Sequence, residues 1–144
     1  MKNFFTLIAI TAFGFISQAQ NGAKIEFKDK DNTIDYGTVT KNDDSGIRTF
    51  EFTNTGDAPL IIKDVKSSCG CTVPTKPTDP ILPGKTGKIE VKYNMNPGPI
   101  RKTITVESNA VNYEGGMVPL KIKGTVVVPE EINMMEKKKS LPSN

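Results

Sequence analysis

The chain has 144 residues, a formal net charge of +3, and neither histidine nor tryptophan. Without histidine it lacks the commonest general base and the commonest metal ligand, which excludes Ser-His-Asp, Cys-His and histidine-rich zinc sites. The small excess of positive charge lies mostly in Lys137, Lys138 and Lys139, so we expect no binding of nucleic acid.

The first 19 residues have the pattern of a secretory signal peptide. Lys2 supplies a positive start, residues 4–16 (FFTLIAITAFGFI) form an apolar core, and residues 17–19 (SQA) form a small-x-small cleavage site. The apolar run is shorter than the ~20 residues that span a bilayer, which argues against an anchor. We therefore predict an exported protein, periplasmic or extracellular, whose mature chain starts near Gln20 and has no transmembrane segment.

Seven segments rich in β-branched and aromatic residues follow, separated by Gly, Pro, Asn and Asp. They are residues 24–28, 33–39, 46–54, 60–67, 88–94, 100–107 and 117–128. Several alternate polar and apolar residues, as strands with one buried face do. Because such strands pack as two layers, residues 20–128 are predicted to form one all-β domain, an immunoglobulin-like antiparallel β-sandwich of about seven strands.

The apolar positions of these segments define a predicted core. It consists of Phe27, Tyr36, Phe50, Phe52, Ile62, Ile89, Val91, Tyr93, Ile104, Val106, Leu120 and Ile122. Residues 129–144, in contrast, are charged and poor in branched apolar side chains, so they bury too little surface to offset their ordering entropy. We predict a disordered C-terminal tail; its Met134 and Met135 suggest a soft-metal arm less strongly than they suggest a frayed terminus.

The two cysteines of the chain, Cys69 and Cys71, lie one glycine apart in the stretch SSCGCTV. If residues 60–73 run extended, both point to the same side as Val65, as small buried residues. A bend at Gly70 would instead bring the two sulfur atoms together. A disulfide between them would close a ring of three residues, which stabilises by only about 1.5 kcal/mol before strain is subtracted.

Two interpretations of this pair rank first: a small-ring disulfide, which export favours, and two buried thiols. An intermolecular disulfide comes next. A Cu(I) site held by the two thiolates comes last, because export favours oxidation of the thiols. Zinc would need further ligands, and the chain has no histidine to supply them. The sequence does not separate the first two alternatives.

Five segments carry a family resemblance: IDYGTV, FEFTNTGDAPLIIKDVKSSCGCTVP, PILPGKTGKIEVKYN, GPIRKTITVESNA and LKIKGTV. Together they closely resemble the exported bacterial family named domain of unknown function 1573, over residues 34–126. The resemblance rests above all on the turn at residues 54–56, the Cys69-Gly70-Cys71 step and the Pro83-Gly84 turn. It implies an Ig-like sandwich related to major-sperm-protein and Hydin-type modules, which are similar to protein-binding and scaffolding domains, with no established activity.

Two classes of function follow. In the first, the domain is a non-catalytic module of the cell envelope, protein-binding or structural, whose partner is another envelope protein. In the second, Cys69 and Cys71 act as a redox pair or handle a soft metal such as Cu(I). The sequence has no Cys-x-x-Cys step at a helix N-terminus, the arrangement that lowers the thiol pKa in thioredoxin-like proteins, so we favour the first class. We predict no enzyme activity, no catalytic residue, no cofactor and no resident metal.

Overall fold

The computed structural model describes residues 21–139. The predicted signal peptide, residues 1–19, lies outside the described residues. Within residues 21–139 the chain forms eight strands, one α-helix and two short 3-10 helices, Lys30–Asn32 and Glu114–Gly116. The bounds of the strands and the α-helix are β1 Ile25–Phe27, β2 Thr33–Thr40, β3 Ile47–Asn54, β4 Ile62–Ser67, β5 Thr72–Thr75, β6 Thr86–Tyr93, β7 Gly98–Ser108, β8 Met117–Val127 and α1 Pro129–Lys139.

The strands form two four-stranded sheets, one with the order β1-β3-β6-β5 and the other with the order β2-β8-β7-β4. The sheets pack face to face around a shared apolar core. The prediction of an all-β, immunoglobulin-like sandwich is confirmed. The eighth strand is β5, which the sequence analysis does not predict because it is four residues long and contains Pro74.

One pairing departs from the antiparallel arrangement: β2 runs parallel to β8. Only five residues separate β1 from β2, and they carry the chain from one sheet to the other without reversing its direction. Strand β2 therefore keeps the direction of β1. It comes to lie beside a strand that runs the same way, with Thr33 opposite Lys121.

Every residue of the predicted core is buried. The prediction omitted four further large side chains that are fully buried: Ile25, Leu60, Ile100 and Val118. The ring of Phe27 lies 5.4 Å from that of Phe52 and 6.3 Å, edge-on, from that of Phe50, measured between ring centroids. These aromatic contacts add to the stabilisation that β1 and β3 contribute to the core.

A buried asparagine fixes the loops at one end of the sandwich, which we call the asparagine end. The amide nitrogen of Asn54 donates to the carbonyl oxygens of Ala58 and Ile81, at 2.8 Å each. Its oxygen accepts from the backbone N–H groups of Gly56 at 3.0 Å and Lys24 at 3.3 Å. One fully buried side chain thus holds three chain segments together.

Helix α1 occupies residues that the sequence analysis assigns to a tail without periodic structure. Pro129 suits the first turn of a helix, and the lysines of the last turn complement the negative end of the helix dipole, so local chemistry favours the helix. The disorder of residues 129–144 in solution stays a prediction. No helix within residues 21–139 is long and apolar enough to cross a membrane.

Candidate functional site

The two cysteines lie where the chain crosses from one sheet to the other. Strand β4 is the edge of one sheet and ends at Ser67, whereas β5 is the edge of the other and begins at Thr72. Residues 68–71 connect them, and we call this connection the cysteine corner. The extended run of residues 60–73 that the sequence allows does not occur, because the chain leaves β4 to change sheets.

Cys69 and Cys71 are joined by a disulfide in the structure, with their Cα atoms 5.3 Å apart. An extended strand would place residues i and i+2 near the ~6.8 Å upper limit for a disulfide, so the bend of the corner is what allows the bond. Gly70 makes this bend without a positive φ. Of the two alternatives left open above, the structure contains the small ring rather than two buried thiols.

Backbone hydrogen bonds hold the corner against both sheets. The Ser68 N–H donates to the Thr103 carbonyl on β7 at 2.9 Å, and the Asn94 N–H donates to the Cys71 carbonyl at 3.0 Å. The Ser68 hydroxyl oxygen also accepts from the Thr103 N–H at 3.3 Å. The positions of both cysteines are therefore fixed by contacts that do not involve sulfur.

The disulfide is half-buried, and the residues between and before the cysteines are exposed. An ideal Cβ placed on Gly70 would have no heavy atom within 4 Å apart from those of the flanking cysteines, so the space beside Gly70 is open. Cys71 packs against the apolar core. Its Sγ lies 4.0 Å from the Oγ1 of the buried Thr72.

Strand β7 extends past the end of β4 and leaves a free edge beside the cysteine corner. Strand β4 ends with Ser67 opposite Ile104, so residues 98–102 pair only with β8 within the part of the chain that the structure describes. Backbone groups of successive strand residues point alternately to the two neighbours. Because Thr103 bonds Ser68 on the β4 side, the N–H and C=O of Arg101 point to that side as well, where no strand of residues 21–139 lies.

The outer face beside this edge is positively charged. Arg101 on β7 lies directly opposite Lys123 on β8, a like-charge pair that reduces the stability of a sheet. Asp35 is the acid nearby, 3.4 Å from Lys123, while Arg101 and Lys121 have no ion-pair partner among residues 21–139. A groove of about 500 Å³ runs here; we call it the basic groove, and its wall includes Thr33, Arg101, Lys102, Thr103, Lys121 and Lys123.

The opposite side of the sandwich is closed by a cluster of polar side chains. The Arg48 guanidinium donates to both carboxylate oxygens of Asp44, at 3.0 and 2.6 Å, and covers the ring of Tyr36. These hydrogen bonds hold the pKa of Asp44 below its usual value. Burial raises the pKa of Tyr36 to about 12, and its hydroxyl donates to the Gly46 carbonyl at 2.8 Å. Each polar group has a partner, so this cluster is structural.

A second surface depression, of about 630 Å³, lies at the asparagine end. Its wall includes Ser108, whose hydroxyl donates to the Gly116 carbonyl at 2.9 Å, and the chain has no histidine to activate that hydroxyl. Among residues 21–139 no three His, Cys, Asp or Glu side chains are grouped to hold a metal ion. The side chains of the predicted soft-metal arm, Met134 and Met135, lie outside those that the structure describes.

Fold and surface together define an immunoglobulin-like module that carries a disulfide at a sheet-crossing corner. The chain belongs to the family described as "Protein of unknown function (DUF1573)", whose profile matches residues 25–126. The family predicted from the sequence motifs is therefore confirmed. The relation to major-sperm-protein and Hydin-type modules stays a prediction. No curated protein matches the sequence.

Solved structures share the fold at low sequence identity. A protein of unknown function from Porphyromonas gingivalis W83 matches with a TM-score of 0.58 and 17% identity, over 79% of this chain and 51% of that one. The ASH / PapD-like domain 7 of human CEP192 matches with a TM-score of 0.55 and 10% identity, over 85% and 98%. The secreted serine protease VesC from Vibrio cholerae matches with 0.53 and 16%, over 79% and 26%. The chain thus spans about half of the first structure and a quarter of the protease, and these likenesses concern the fold alone.

Proposed function

We propose that the protein is a non-catalytic module of the cell envelope that binds another exported protein. Its ligand is an extended acidic segment, which adds as a strand along the free edge of β7. The observation that carries the proposal is the coincidence of this edge with the basic groove, both of which include Arg101.

Strand addition needs backbone groups that point away from the sheet, and the N–H and C=O of Arg101 supply them. A segment in this position would continue the line of β4 past Ser67, antiparallel to β7. Alternate side chains of the added strand would lie over the outer face, next to Arg101 and one strand away from Lys123 on β8. Acidic side chains there would relieve the like-charge repulsion between those two residues, which gives the site its preference for acidic segments.

Export is part of the proposal and rests on the signal-like residues 1–19. Intact-mass measurement of the protein recovered from the envelope tests it, with a chain starting near Gln20 as the expected result. A retained Met1 would contradict export by this route. Membrane and soluble fractions of the envelope are compared in the same experiment.

The binding site is tested with two synthetic eight-residue peptides of alternating Thr and Glu or alternating Thr and Lys. We expect the Glu peptide to bind weakly and to shift the backbone amide resonances of Arg101 and its β8 neighbours, and the Lys peptide not to bind. Arg101→Ala removes the charge, whereas Arg101→Pro removes both the charge and the N–H that faces the free edge, so the proline variant should bind more weakly than the alanine variant. Equal affinity of the two variants, or shifts confined to another surface, would contradict strand addition.

Charge reversal separates the basic groove from general electrostatic attraction. Lys121→Glu/Lys123→Glu should abolish binding of the Glu peptide. Lys85→Glu/Lys92→Glu makes the same change in net charge at exposed residues away from the groove and should leave binding within about twofold of wild type. Loss of binding in both double variants would show that net charge alone attracts the peptide.

A further inference from the structure

We propose that the Cys69–Cys71 disulfide is an exchange site that accepts two electrons from a dithiol of another exported protein. This activity is stoichiometric and does not depend on strand addition at β7. It assigns a chemical role to the one covalent cross-link of the described chain, which is poorly suited to a structural role.

The ring is too small to serve as a staple. Its cysteines are two residues apart, so the bond removes little conformational freedom from the unfolded chain. The bonds of Ser68 to Thr103 and of Cys71 to Asn94 already fix both ends of the corner. The fold therefore gains little from the disulfide. Disulfides that solvent can reach are the more readily reduced ones, and this disulfide is half-buried with the exposed Gly70 in its ring.

The backbone hydrogen bonds of Ser68 with Thr103 and of Cys71 with Asn94 also make the reaction reversible. Because they do not involve sulfur, they keep the two cysteines at the corner after the bond is broken. The reduced and oxidised proteins then share one fold, and the thiols stay close enough to form the bond again. Gly70 is exposed and the space beside it is open, so another protein can approach the corner at this residue.

The two sulfur atoms have different surroundings, which sets the order of the steps. Cys71 packs against the core and has the Thr72 hydroxyl 4.0 Å from its sulfur, whereas Cys69 does not belong to the group of side chains packed on the core. A partner thiolate attacks the Sγ of Cys69, the S–S bond breaks, and Cys71 leaves as a thiolate toward which the Thr72 hydroxyl can turn its hydrogen.

A mixed disulfide between Cys69 and the partner remains after this step. The second thiolate of the partner attacks the partner's own sulfur in that mixed disulfide and releases Cys69 as a thiolate. The partner's two thiols have become a disulfide. Cys69 and Cys71 have gained two electrons, and they take up the two protons that the partner thiols released.

The reaction is tested with the oxidised full mature chain and a synthetic peptide that contains Cys-x-x-Cys. Acid quenching, thiol alkylation and mass spectrometry follow both molecules, and circular dichroism follows the fold. We expect one peptide disulfide to form for each protein reduced, in millimolar thiol and with an unchanged spectrum. A disulfide that persists until the protein is unfolded by denaturant would overturn the proposal, as would reduction that unfolds the protein.

The order of attack is tested with a peptide that has a single cysteine, since the mixed disulfide then accumulates. Fragmentation by mass spectrometry should locate the adduct on Cys69, and an adduct on Cys71 alone would overturn the assigned order. Thr72→Val should slow reduction several-fold and Thr72→Ser should restore it. Thr75→Val, an exposed position of the same strand, is the matched control and should react at the wild-type rate. Equal rates for Thr72→Val and wild type would remove Thr72 from the mechanism.

Discussion

The guanidinium carbon of Arg48 lies 4.0 Å from the centre of the Tyr36 ring. Arg48 belongs to β3 in one sheet and Tyr36 to β2, the edge of the other, so this cation–π contact joins the two layers of the sandwich. Asp44 orients the guanidinium from the loop before β3. This cluster thus links the two sheets on the side of the sandwich opposite the cysteine corner.

Replacing Arg48 by Ala should lower the free energy of unfolding by about 1–3 kcal/mol, because the stacking contact and the paired hydrogen bonds to Asp44 are both lost. Arg48→Lys should recover less than half of this loss, since an ammonium group cannot form the two parallel bonds. Urea denaturation of the three proteins measures both effects. A lysine variant as stable as wild type would show that charge alone matters.

Stability should fall at high pH through Tyr36. Its folded pKa of about 12 lies above its ordinary value, so its contribution is complete below pH ~10 and is lost as the pH rises toward 12. The shift corresponds to about 3 kcal/mol at most. Because lysines also titrate in this range, the measured quantity is the difference in unfolding free energy between wild type and Tyr36→Phe. That difference should shrink between pH 10 and pH 12; a constant difference would contradict the burial of the hydroxyl.

Asn54→Ala should destabilise the protein by about 2–4 kcal/mol, because it removes four hydrogen bonds and leaves the carbonyls of Ala58 and Ile81 without this donor. Thermal denaturation followed by circular dichroism measures the loss. Asn94→Ala, at an exposed position, is the control and should change stability by less than about 0.5 kcal/mol. Similar losses in both variants would contradict the role of the buried amide.

Phe52 and Gly87 face each other across β3 and β6, and an ideal Cβ on Gly87 would collide with the Phe52 ring. Phe52→Ala should cost about 3–5 kcal/mol. Gly87→Ala should also destabilise, since the ring has to move. In the double variant the new methyl group occupies part of the space that the ring vacates, so the total loss should be smaller than the sum of the two. Additive losses would contradict this contact.

Cys69→Ser/Cys71→Ser should keep the fold and the affinity for the acidic peptide while losing about 1–3 kcal/mol of stability. The reason is that a three-residue ring constrains little and that hydroxyl groups replace half-buried sulfur with a modest desolvation cost. Urea denaturation and peptide titration of the same sample measure the two properties. Loss of peptide binding with an intact fold would place the disulfide within the binding site.

Much of the fold was predictable from local patterns. Alternation of polar and apolar residues located seven strands and the core, because one face of each strand is buried. The parallel pairing of β2 with β8 was not predictable, since strand direction across a non-local pair leaves no trace in that alternation. The choice between a disulfide and buried thiols depends on where β4 ends, and the bond between Ser68 and Thr103, 35 residues apart, sets that end. The free edge at Arg101 likewise depends on the unequal lengths of β4 and β7.

The position of β2 beside β8 also determines the order in which the domain can assemble. The second strand from the start of the described chain finds its only neighbour in the last one, so the sheet β2-β8-β7-β4 cannot close during synthesis before β8 is available. Contacts between such distant segments impose a large loop-closure entropy and place folding in the range of milliseconds to seconds. Until β8 has been synthesised the chain therefore cannot complete this sheet, a delay that is compatible with the export proposed above.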